Sequence, residues 1–182
     1  MAERLRRAGH GRFVDGTDVT WSVAEGRKGR RWREVRSRGG VVVSSLLLET
    51  FPDGRFAHLE ASTAAGLLTL HPEGDGTLHG NAVLAEGVRH VVGLPWPPGS
   101  VVVLDGSAIA IAAAAWFIRE ASPSTDPAGR LPVVMIDPAL GVKASSIPAD
   151  GLSHDKIDAD GLPILDDAET WPLELELEVQ GG

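Results

Sequence analysis

Along most of this chain, hydrophobic and polar residues alternate with a period of two. Residues 17–24 (TDVTWSVA) place Val19, Trp21 and Val23 on one side of an extended chain. Residues 31–38 (RWREVRSR) set Trp32 and Glu34 against Arg33 and Val35. Residues 41–51 form a long apolar strand. Pro52, Asp53 and Gly54 then supply a turn, since proline presets φ and glycine accepts a positive φ. Strands over 55–62, 66–71, 77–85 and 88–94 follow, parted by 72–76 (PEGDG) and by Gly87. Turns this closely spaced predict an antiparallel meander, because parallel neighbours need a crossover of about a dozen residues or more. Further on, 101–104 and 131–136 read as buried strands and 141–147 as another strand. The stretch 171–179 (WPLELELEV) puts Leu173, Leu175 and Leu177 on one face and Glu174, Glu176 and Glu178 on the other. That is the pattern of an edge strand blunted by charge. Residues 1–11 read as frayed chain or a short helix.

One stretch departs from this rhythm. Ile109 and Ile111 alternate with Ala108, Ala110 and Ala112 as a strand would, but the alanine run at 112–115 favours helix. Ser107 suits an N-cap, with Asp105 and Gly106 breaking the chain before it. Arg119 complements the dipole at the far end, and Ser122, Pro123 and Pro127 stop the element. Apolar residues lie all round the helix predicted over 107–120, so it should be buried. Its uninterrupted apolar run, 108–118, falls far short of the ~20 residues that span a bilayer. The expected fold is mainly β (α+β): a single curved antiparallel sheet, or spiral β-roll, wrapped around one buried central helix. Residues 1–182 form a single domain in this reading, with the roll over 12–182.

Composition narrows the chemistry. Of 182 residues, 43 % are hydrophobic and 23 % charged, as in a soluble globular chain able to build a core. There is no cysteine, which excludes disulfides, thiolate zinc sites and a cysteine nucleophile. Arg4, Arg6 and Arg7 precede no apolar run, so no secretory signal is expected, and a cytoplasmic location follows. The net charge of −8 divides unevenly, into +6 over residues 1–40 and −14 over the rest. An arginine-rich head of this kind either docks an acidic partner or pairs within the fold. No aromatic-rich motif accompanies the arginines, so nucleic acid is not an expected partner.

The order of features over 41–180 resembles the spiral β-roll of the glycolipid-binding family and of related bacterial domains. LTLHPEGDGTLHG (68–80) resembles the family's "L-x-L … dG-x-G … G" hairpin. VVGLPWPPGSVVVLDGSAIAI (91–111) lies where the family has its proline-containing centre, and IDADGLPILDDAETWPLE (157–174) resembles its closing "v-x-x-D-G-x-v … W" hairpin. The resemblance implies a long antiparallel sheet coiled on itself. The family's central threonine–asparagine motif is missing here, so the likeness speaks to fold rather than to ligand.

Several residues are candidates for chemistry. His58 and Glu60 share a strand face, His71 and His79 flank a hairpin turn, and His90 follows on the next strand. His58, Glu60, His71 and His79 form a candidate site for zinc or another divalent metal, although no H-E-x-x-H spacing supports it. Asp158, Asp160 and Gly161 match part of a calcium loop, but Lys156 and Asp167 stand where ligands are needed, so DADG reads as a turn. G-x-S-x-G, G-x-G-x-x-G and phosphate-loop motifs are absent, which leaves Ser107 the role of cap. Of the five tryptophans, Trp96 in a proline-rich loop and Trp116 in the helix are placed to line a pocket with Val43 and Leu47 of the long strand. The leading expectation is a non-catalytic module for a lipid-like or other apolar small ligand, with no cofactor. The alternatives are a metal-dependent enzyme using the histidines and an interaction domain with a basic head.

Overall fold

A computed structural model of the chain describes residues 5–13, 15–123, 125–148, 152 and 157–162, and the backbone of 173–178. The protein is mainly β. Strands β1 (Arg6–Phe13), β2 (Asp18–Gly26), β3 (Gly29–Arg38), β4 (Val41–Thr50), β5 (Phe56–Thr63), β6 (Gly66–Pro72), β7 (Thr77–Leu84) and β8 (Gly87–Pro95) form an uninterrupted antiparallel meander. After β8 come β9 (Val101–Leu104), α1 (Ala108–Ala121), β10 (Arg130–Ile136), β11 (Val142–Pro148) and β12 (Leu173–Glu178). The last of these returns to pair with β1. The large sheet therefore has nine strands in the order β12-β1-β2-β3-β4-β5-β6-β7-β8 and is not a closed barrel.

Two expectations need correction. The sheet is not single: β9, β10 and β11 form a second, three-stranded sheet in the order β11-β10-β9. β9 and β10 run parallel, and α1 supplies the crossover that a parallel pair requires. Nor is 1–11 frayed or helical where it is described, because β1 is paired on both flanks. Its sequence, RRAGHGRF, hides this because Gly9 and Gly11 occupy the positions where apolar side chains would mark a strand. Gly9 has a physical reason to lack a side chain: a Cβ there would lie 2.6 Å from the ring of Trp21. Trp171, Lys156 and Asp167 lie outside the described residues.

One face of the large sheet is buried. Trp21, Val23, Trp32, Leu46, Leu48, Phe56, Leu59, Leu68, Leu70 and Leu78 share one core with Ile109, Ala110, Ala113 and Trp116 of α1. A second cluster joins Ala114 and Phe117 to Val101, Val103 and Val133 of the small sheet. The helix is thus buried nearly all round, as its apolar girth predicts. The expected cap is present: Ser107 Oγ accepts from the Ala110 N–H at 3.1 Å.

The far end of α1 is clamped by aromatic and cationic contacts. Trp116 packs on Trp32, with ring centroids 5.8 Å apart, and the Arg30 guanidinium carbon sits 3.9 Å from the Trp116 centroid. Replacing Trp116 by alanine should cost about 3–5 kcal/mol in chemical denaturation, since it empties a core site and strands the cation. Ala115→Glu, at a fully buried position, should be at least as damaging. A loss below about 1 kcal/mol in either variant would contradict this packing.

Candidate functional site: a cleft between sheet and helix

An apolar cleft of about 20 Å³ opens between the covered face of the large sheet and α1. Leu48 and Thr50 of β4 and Phe56 of β5 line the sheet side. Ala113, Ala114 and Phe117 line the helix side, and Ser100, Val101 and Val102 close one end. The cleft is narrow, with room for about one water-sized sphere across. Its polar groups are two hydroxyls, each already engaged: Thr50 Oγ1 accepts from Trp32 Nε1 at 3.5 Å, and Ser100 Oγ donates to the Pro97 carbonyl at 2.6 Å.

Local sequence explains the geometry. Alternation along β4 turns Leu46, Leu48 and Thr50 inward. A register shift at Glu49/Thr50 precedes the turn. The turn is the expected one, with the Gly54 N–H donating to the Phe51 carbonyl at 2.9 Å. Gly54 takes φ +83°, and a Cβ there would lie 3.2 Å from the Phe117 backbone, so only glycine lets the turn sit on the helix. Asp53 accepts from the Arg55 backbone and side chain. Burial pulls the Asp53 carboxyl upward, but those bonds outweigh it and hold it below the usual range.

The four residues expected to line a pocket do not converge. Trp96 is half-buried and meets Phe56 edge-on at 5.4 Å, next to the cleft. Trp116 is buried one residue along from the lining Phe117. Val43 and Leu47 lie on the opposite, solvent-facing side of β4, and Val43 is the residue left over at a bulge. Neighbours on the same strand, Leu48 and Thr50, take the expected role.

The histidines do share a face but do not form a metal centre. Glu49 opposes His58 across β4–β5, and His71 opposes His79 across β6–β7, all on the solvent side of the sheet. Each ring is engaged separately: His58 Nε2 lies 3.1 Å from Glu60, and His71 Nε2 lies 3.0 Å from Glu73. His79 Nε2 accepts from the Gly93 N–H at 3.3 Å, and His90 Nδ1 lies 2.7 Å from Asn81. Among the described residues no group of three or more His, Asp or Glu side chains is placed to hold a metal. The expected set of His58, Glu60, His71 and His79 is thus divided into separate pairs.

The basic head is spent largely on internal ion pairs. Arg7 pairs with Asp160, Arg12 with Asp18, Arg30 with Glu25, Arg31 with Glu49 and Arg38 with Asp15. The Arg12 guanidinium is raised by its hydrogen bond to Asp18, and Asp15 is lowered first by the Thr17 backbone N–H. Among the described residues no helix is long and apolar enough to cross a membrane.

A buried carboxylate that sequence reasoning did not single out joins the sheet to α1. Glu34 is 3 % exposed. Its Oε2 accepts from Ser107 Oγ at 3.0 Å and from the Ile109 N–H at 3.2 Å, while its Oε1 accepts from Arg36 Nε at 2.8 Å. Ser107 is fully buried within this network and acts as a cap. The sequence signal was the charge alternating in phase with Trp32. Next to Glu34 on β2, Trp21 has its indole N–H buried with no acceptor among the described residues.

Glu34→Ala should cost about 3–5 kcal/mol, because it leaves Arg36, Ser107 and a helix N–H without their partner. Glu34→Gln should recover part of that in the same denaturation assay. A second test concerns Asp75 in the PEGDG turn, held below the usual carboxylate range first by the Thr77 hydroxyl. A lowered folded-state pKa gives stability that is present above the unfolded value and fades as pH falls through the folded one. Thr77→Val should raise the Asp75 midpoint in an NMR titration of the carboxyl carbon. An unmoved midpoint would exclude the hydroxyl as its cause. No family model matches the chain, and no curated protein or solved structure matches it either.

Proposed function

We propose that this protein is a non-catalytic module that binds a small apolar ligand in the cleft between β4–β5 and α1, with the large sheet wrapped about the helix as in a spiral β-roll. The observation that supports this is the lining itself. Leu48, Phe56, Val101, Val102, Ala113 and Phe117 make an apolar wall with Thr50 and Ser100 as its hydroxyls. Small-molecule sites have this character: apolar, concave, with a few convergent polar groups. The volume sets the size of the ligand. Typical pockets for drug-sized molecules run to roughly 300–1,000 Å³, whereas a closed apolar cavity of about 150 Å³ already takes benzene. A cleft of about 20 Å³ is smaller than either, so a ring or a short chain must part the helix from the sheet to enter. A catalytic role has less support, because among the described residues the hydroxyls of the cleft bond to Trp32 and the Pro97 carbonyl rather than to a base.

Titration with toluene and with octanoate tests the proposal, followed through the methyl resonances of Leu48, Val101 and Val102. Saturable shifts confined to these residues are expected, with a higher melting temperature when ligand is present. Ala114→Phe fills the cleft and should abolish both effects while near-ultraviolet circular dichroism stays native. Absence of saturable shifts with either probe, or equal binding by the native-like filled variant, would overturn the reading.

A further inference from the structure

β8 ends the large sheet and β11 ends the small one, and among the described residues no strand pairs with the outer side of either. These two edges meet at a cleft of about 360 Å³, separate from the apolar cleft beside α1. Val91, Val92 and Leu94 of β8 line it with Arg89, His90 and Val142. An edge strand carries unpaired amides and carbonyls, and proteins blunt such edges with charge, proline or a bulge. β8 is blunted only near its end, where Gly93 takes φ +66° and Pro95 follows. Before that point it is a plain edge, with Val88 57 % and Val92 70 % exposed. Val88 continues an exposed apolar row through Val83 to Leu67 on the neighbouring strands.

The charge of these edges is opposite in sign to that of the whole molecule. The protein carries a net −8, yet β8 and β11 contain Arg89 and Lys143 and no acidic residue. Arg89 donates to the Leu140 carbonyl at 2.6 Å and has further N–H groups to offer.

We propose that the β8 edge receives an extended segment of a partner protein, apolar at alternate positions and acidic between them. The free backbone groups select an extended chain, because only a strand matches their spacing. The two-residue period lets one set of side chains cover Val88 and Val92, beside His90, while the other meets Arg89 in the cleft. A second copy pairing through β8 is a poorer occupant, since antiparallel pairing centred on this stretch brings the Arg89 and His90 of both copies together.

The test uses the full chain and a short acetylated peptide alternating valine with glutamate, with a valine–lysine peptide as control. Binding is read by amide hydrogen exchange and by isothermal titration. We expect slowed exchange in β8, affinity that falls as salt rises, and at least about tenfold weaker binding of the lysine peptide. Val88→Asp with Val92→Asp should abolish binding, and both positions are exposed enough to leave the fold intact. Arg89→Gln provides a milder second variant and should weaken binding several-fold. No protection of β8, equal binding of the two peptides, or binding indifferent to both variants would overturn the proposal. So would concentration-dependent self-association that the β8 variants dissolve, which would make a second copy the occupant.

Discussion

The carboxylate of Glu34, buried between sheet and helix, is the point on which this architecture turns. A helix begins with N–H groups that have no partner of their own and with the positive end of its dipole. In α1 that end is deep inside the protein, where water cannot satisfy it. Ser107 caps one N–H, and Glu34, reaching across from β3, accepts another together with the serine hydroxyl. The charge that Glu34 carries into the core is met by Arg36, which also donates to the Gly106 carbonyl just ahead of the helix and lies over Phe13 of β1. Three elements distant in sequence are thereby fixed to one ion pair. Buried pairs of this kind add little net stability over an apolar replacement, but they are costly to break on one side only. Their effect here is on position, since the helix has one register against the sheet in which every group is satisfied.

Arg30 has the corresponding role at the other end. It lies over Trp116, pairs with Glu25 and donates to the Asp160 carbonyl at 2.6 Å. Arg119, in the last turn of α1, donates to the carbonyls of Asp158 and Ala159. The turn at 157–162 is thus held by arginines from β3 and α1, and Gly161 fits against the Trp116 ring where a Cβ would come within 2.7 Å. The uneven charge of the chain gains a physical meaning from these contacts. Arg7, Arg12, Arg30, Arg31, Arg36 and Arg38 are on strands, beside acids supplied from later in the chain as well as from their own hairpins.

How far the sequence reveals this depends on which signal each element carries. The meander from β2 to β8 was legible because its turns carry their own chemistry, as at Pro52-Asp53-Gly54, and because Trp32 and Glu34 alternate with Arg33 and Val35. The helix was legible from its alanines and its cap. β1 was not, since its covered positions include Gly11 and Gly9, the latter with its space taken by Trp21. The small sheet was missed for a different reason: β9 and β10 each read as buried strands, but nothing local states that they pair with each other across a helix. The cleft was half legible. The strand that lines it was identified, yet Leu46, Leu47 and Leu48 are all apolar, so the pattern did not tell inside from outside, and a shift of one residue exchanges the faces. The histidines shared a face as expected, but their ring orientations are set by side-chain partners that periodicity does not encode.

The alanines of α1 connect the fold to the cleft. Small side chains let a helix lie close to the surface beneath it, since separation follows the residues at the contact. Near the N-terminus this closeness brings the backbone within reach of Glu34. Farther along, Trp116 packs on Trp32 of β3, and Gly54 lets the β4–β5 turn approach the backbone at Phe117. Between these contacts, Ala113 and Ala114 line the gap on the helix side, and Leu48, Thr50 and Phe56 line it on the sheet side. Larger residues there would close the space, and interiors are ordinarily filled to crystal-like density. A leucine at either position would be compatible with helix propensity and with the apolar surroundings. The gap therefore follows from the choice of alanine at two positions, and the same choice sets the width of whatever enters it.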